Sequence, residues 1–181
     1  MLRVRLMYRT LVQGLNSLRR NLLAGLQLAL PLRAHPNHLN PSLGQFVAIL
    51  CGLWLLSATH DQLDAGLDAE YSGWGLLTQA TMSYLWMATL ALIVLLDRRP
   101  GDFLRLAVSM GSASIWLLTT WTLTTAFWSR LQPEFYDENY QTLWQAFLIW
   151  ELLVFARIMF SVLGAAWYRA AANSVIYAVC I

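Results

Sequence analysis

One carboxylate and one guanidinium interrupt IWELLVFARIMF, residues 149–160, a run that is otherwise apolar. If such a run crosses a membrane, a charge near its middle costs roughly 2.5 to 3.5 kcal/mol, which makes Glu151 and Arg157 functional candidates. Two chemistries fit. Glu151 could carry a proton, an ion or a substrate along an intramembrane path. Alternatively, both residues are hydrogen-bonding links between helices, or anchors whose long stems let the charge snorkel outward. They are badly placed to satisfy each other, because six helical residues set them about 120° apart around the axis and about 9 Å apart along it. Glu151 falls instead at the level of Tyr84 and Trp86 in one apolar segment and of Ser114 and Trp116 in another, with which its carboxyl could hydrogen-bond. Arg157 falls at the level of Thr89, Gly111 and Ser112, and Arg105 lies nearer still to that surface. Contact of these groups with another subunit or a lipid headgroup is a further possibility.

Other reactive residues are sparse. His35 and His38 are separated by Pro36 and Asn37, which favour a turn over two ligands on one helical face, and the third histidine, His60, falls on the opposite side of the membrane. No metal site is expected. Cys51 lies within an apolar segment and Cys180 near the end of the chain, a spacing that suggests no disulfide. There is no phosphate loop, dinucleotide fingerprint, haem attachment sequence or serine-hydrolase elbow. We therefore expect no catalytic residue, no enzyme activity, no nucleic-acid partner and no cofactor; a bound lipid is compatible with the composition.

The elements that must position these groups follow from hydropathy. Hydrophobic residues make up 58% of the chain and charged residues 12%, with a mean hydropathy of +0.50. Soluble domains carry about 25% charged residues, so the expectation is an all-α polytopic membrane protein. Four segments approach the roughly 20 apolar residues needed to span a hydrocarbon core: 43–59, 74–96, 103–127 and 142–163. They form an expected four-helix transmembrane bundle over residues 43–165. Between the first two lies HDQLDAGLDAEYSG, with four acids and no base, and between the last two WSRLQPEFYDENY, with three acids and one arginine.

All twelve basic residues are arginines, and ten of them fall on the other side, in residues 1–42, in the DRRPGD connection, and as Arg105 and Arg169. The positive-inside rule then puts both termini in the cytoplasm and the acidic connections outside, most simply in a bacterial inner membrane. Trp74, Trp128, Trp144 and Trp167 sit near the span ends, as headgroup-level aromatics do.

Residues 1–32 are different. Val4, Met7, Leu11, Leu15, Leu18, Leu22, Leu26 and Ala29 recur in steps of three and four, while Arg5, Arg9 and Arg20 lie off that stripe. The segment is expected to be an amphipathic helix in the cytoplasmic interface, with Arg3, Arg5, Arg9, Arg19 and Arg20 among lipid headgroups. Packing on the spans or on a partner subunit is the alternative. After the helix-breaking Pro31 and Pro36, a helix start is expected either at Asn40 with Pro41 in the first turn or at Ser42 with Gln45 three residues later. The tail 166–181 is too short to span; it reads as an interfacial segment or as the beginning of a fifth span.

In the third span, Ala107 and Gly111 lie four apart among Ser109, Ser112, Ser114 and a run of threonines. Small residues permit close approach and hydroxyls bond across or back onto their own helix, so this span is expected at the centre of the bundle.

The stretch NLLAGLQLAL, then LNPSLGQFVAIL, an acidic exterior connection and the short DRRP turn together resemble the membrane modules of bacterial Yip-domain-type proteins. These include modules fused ahead of legumain-type cysteine peptidases. The resemblance implies four or five spans behind an amphipathic cytoplasmic helix, acting as a membrane anchor or organiser. It carries over no catalytic residue, because no stretch supplies the peptidase histidine and cysteine. The expected function is a non-catalytic scaffold, assembly or anchoring subunit of a larger membrane complex, with membrane lipids and other subunits as partners. The competing expectation is a small transporter or proton-coupled membrane enzyme using Glu151.

Overall fold

The computed structural model describes residues 2–30, 39–65 and 73–180, with the side chains of 2–6, 73 and 74 left out of account. His35, His38 and the side chains of Arg3, Arg5 and Trp74 therefore lie outside the described residues. The chain is all-α, with no strand among the described residues. In order come α1 (Leu2–Ala29), α2 (Leu43–Ala65), α3 (Gly73–Leu96), α4 (Phe103–Leu131), α5 (Pro133–Ser161) and α6 (Trp167–Cys180). Helices α2 to α5 are each long and apolar enough to cross a membrane.

Two spans are longer than hydropathy suggests. Helix α2 continues past residue 59 through His60, Asp61 and Asp64, since DQLDA contains no glycine or proline to stop it. Helix α5 begins at Pro133 rather than near 142, absorbing most of the stretch expected as a loop. Pro133 takes the first helical position, where its missing N–H costs nothing, and Glu134 favours the positive end of the helix dipole. Gln132 alone separates α4 from α5, held extended (φ −142°, ψ 70°) by the proline that follows it.

The other end uses different turns. Leaving α3, the Arg98 and Arg99 amides bond back to the Leu95 and Val94 carbonyls at 3.0 and 2.7 Å, and Arg98 takes a left-handed φ of 57°. That is a Schellman cap with arginine at the position glycine usually fills. Helix α5 ends with Gly164 in the left-handed conformation (φ 62°), where no Cβ penalty applies. Ser42 caps α2, its Oγ accepting from the Gln45 amide at 3.2 Å.

Helix α4 is the enclosed element. In its apolar stretch 56% of residues are buried, against 17%, 22% and 22% in α2, α3 and α5. Leu106 to Ala113 are buried without interruption, which a helix achieves only with neighbours on all sides. The closest approaches involve glycine. A Cβ on Gly25 of α1 would lie 2.4 Å from the Ser112 backbone, and one on Gly111 would lie 2.8 Å from Cγ2 of Ile49 in α2. Several hydroxyls of α4 bond back one turn, among them Ser109 to the Arg105 carbonyl and Thr119 to that of Ile115, both at 2.6 Å.

The two flanking segments join the same core. Leu28 of α1 and Ala170 and Tyr177 of α6 belong to the buried cluster formed by the spans. From Asn21 to Ala29 one side of α1 packs on the bundle, since Asn21, Ala24, Leu28 and Ala29 are all buried, while Leu22 and Leu26 of the expected stripe are half-buried. Helix α6 returns beside α5, burying Ala170, Asn173 and Tyr177, spaced three and four apart, on one face.

Candidate functional site

Arg157 and Glu151 end up in different places. The Arg157 guanidinium donates Nη1 to the Leu28 carbonyl at 3.1 Å and also to that of Leu30. Between them, Trp150 Nε1 donates to the Ala29 carbonyl at 2.8 Å. Nearly two turns earlier, within α1, Trp116 Nε1 of α4 donates to the Leu22 carbonyl at 2.8 Å. The last carbonyls of a helix have no intrahelical partner, and in apolar surroundings each must find a donor. Arg157 thus serves the C-terminus of α1, where its charge also suits the negative end of the dipole. Placed by sequence beside Thr89, Gly111 and Ser112, it reaches past them because the end of α1 lies within reach of its long side chain. Arg99 repeats the device, donating to the Leu163 carbonyl at the end of α5.

A polar cluster secures the rest of α1. Asn21 Nδ2 donates to the Asn40 carbonyl (3.2 Å) and to Gln45 Oε1 (3.3 Å), Asn21 Oδ1 accepts from the Asn40 amide (2.8 Å), and Gln45 Nε2 donates to the Gly14 carbonyl (3.0 Å).

Glu151 faces a cavity. Its Oε1 accepts from the Tyr177 hydroxyl at 3.0 Å, and the Tyr177 ring stacks on Phe155 with centroids 4.4 Å apart and planes 13° apart. Asn173 Nδ2, one turn before Tyr177, donates to Asp97 Oδ2 at 2.9 Å, so α6 is held at both α3 and α5. The cavity, about 420 Å³, lies among α2 to α6 and is walled mainly by leucines and aromatic rings. Its polar groups are few: Glu151, Tyr177 and Ser114, together with the bridges from Trp54 Nε1 to Ser83 Oγ (2.7 Å) and from Ser57 Oγ to Gln79 Oε1 (3.2 Å).

Of the five polar candidates, Glu151 and Ser114 share this cavity. Tyr84 does not: it is exposed on the outer side of α3, while Trp86, two residues on and so on nearly the opposite face, lines the cavity. Arg105 is half-buried in the first turn of α4, and its side chain makes no hydrogen bond among the described residues. Arg9, Arg19 and Arg20 are exposed along α1. The residue that sequence reasoning missed is Tyr177. Its signal was the Ala170, Asn173, Tyr177 spacing in the tail, a helical stripe too short to register as a span.

Fold and site together define a polytopic helical membrane protein with a polar group facing an apolar cavity that is open on one side. Compared with protein-family models, with curated proteins and with solved structures, the chain matches none.

Proposed function

We propose that the protein is a non-catalytic integral membrane subunit that anchors or organises a larger membrane complex. The supporting observation is the division of α1 into two unlike halves. From Asn21 onward it is built into the bundle, whereas Met7, Leu11 and Leu15, spaced one turn apart, are 74%, 56% and 58% exposed. A helix fixed at one end and presenting an apolar stripe beside exposed arginines at the other suits a partner subunit or an anionic membrane surface. A photocrosslinker at Leu11 in native membranes is expected to capture a partner protein. Recovery of monomer alone would reject the proposal.

The same reading takes the host membrane to be a bacterial cytoplasmic membrane with both termini inside, on the strength of the arginine and carboxylate partition. Asp64→Cys and Asn139→Cys should then react with an impermeant thiol reagent in sealed cells. Protection of both positions would reverse the orientation.

The Glu151 cavity favours a second reading, a small transporter or proton-coupled membrane enzyme. Glu151→Gln would then abolish flux or turnover while leaving assembly intact. A bilayer-organising role, which the Yip-type resemblance implies, draws on the arginine-bearing arm and predicts salt-sensitive binding of a peptide of residues 1–30 to anionic vesicles.

A further inference from the structure

The cavity beside Glu151 opens where the first half of α3 is left uncovered by the rest of the bundle. Leu90, Ile93 and Val94, near its end, are buried, whereas Leu76, Leu77 and Met82 are exposed. On that side α3 is tied to α2 by the Trp54 to Ser83 and Ser57 to Gln79 bonds. At about 420 Å³ the space falls in the range of small-molecule sites, which are mostly apolar with a few convergent polar groups.

Its chemistry is one-sided. The lining holds one carboxyl, Glu151, and no basic residue, and no arginine pairs with Glu151 among the described residues. Its hydrogen-bond partner there is a neutral phenol. The indoles of Trp54 and Trp86 and the ring of Phe147 share the lining, and aromatic faces attract cations most strongly where water is excluded. Glu151 is half-buried in this apolar lining, and its ionised form would be stabilised by a cationic partner that the lining residues do not supply.

We propose that this cavity is a binding site for a lipophilic ammonium ion. The ammonium group pairs with Glu151 against the indole rings, and the apolar body lies along Leu53, Leu85 and Leu118. The inference stands apart from the three functional readings above, because binding is measured without a partner or a flux.

The test uses the full chain in lipid nanodiscs with a diazirine-bearing long-chain primary amine and the matching alcohol. The amine is expected to label cavity residues saturably and at least tenfold more efficiently than the alcohol. Glu151→Gln should bring amine labelling down to the level of the alcohol. Leu118→Trp, which fills the space and leaves the carboxyl intact, should reduce amine labelling at least tenfold. Equal labelling by amine and alcohol, labels mapping outside the cavity, or undiminished labelling in Leu118→Trp would each overturn the proposal.

Discussion

Two faces of α4 are packed on opposite principles. On one, α1 approaches so closely that Gly25 meets the Ser112 backbone, and the carbonyls that α1 leaves open at its end are taken by Arg157 and Trp150. On the other, beside Ser114, Leu117 and Leu118, α2 and α3 stand apart around a cavity and touch through a few side-chain bonds. The difference lies in the backbone. A helix that ends inside apolar surroundings must be capped by its neighbours, which forces close and specific packing. Helices that run through have no open carbonyls at that depth, so nothing compels them to close together.

The contrast can be broken most sharply at Gly25. Gly25→Ala sets a methyl against backbone that cannot yield, and the expected loss is about 3 kcal/mol, read as a lower melting temperature in detergent with faster trypsin cleavage at Arg19 and Arg20. Unchanged melting would mean that α1 does not dock there.

Next comes Arg157→Met, which keeps the stem and removes the donor to Leu28 and Leu30. A loss of about 2 kcal/mol is expected, with partial recovery in Arg157→Lys. Equal stability of all three forms would show that water or lipid caps α1 equally well.

Gly111→Ala sharpens the comparison. Its Cβ meets a side-chain methyl of Ile49, which can move, so the cost should be about 1 kcal/mol, well short of that at Gly25. A larger loss than at Gly25 would invert the assignment of the tight region.

The smallest effect is expected at the open face. Tyr177→Phe keeps the ring on Phe155 and removes one hydrogen bond, a change of about 0.6 kcal/mol, the average for such bonds between membrane helices. A loss matching that of Arg157→Met would make the Glu151 contact a structural clamp like the α1 cap.

Much of the scaffold was legible. Spans 74–96 and 103–127 lie within α3 and α4, and the Ala107, Gly111 pattern pointed to the helix that is in fact enclosed. The helical reach of α2 to Ala65 and the start of α5 at Pro133 were hidden because hydropathy reports apolar length, whereas a helix continues through charged residues until something stops it. The site was half legible. Glu151 and Ser114 stood out as polar groups in apolar runs and do share a cavity; Tyr177 could not be reached from its level in the spans, because it arrives on a separate helix that folds back.

The sequence by itself determined the class of protein, the four spanning helices and the segregation of arginines from carboxylates, since these depend on transfer free energies that each segment carries locally. Tertiary structure decided that Arg157 caps a helix 127 residues away in the chain and that Glu151 meets Tyr177 rather than Tyr84. Hydrogen bonds depend on which helix lies within about 3 Å, and that is set by how α1 and α6 pack, which no single segment encodes.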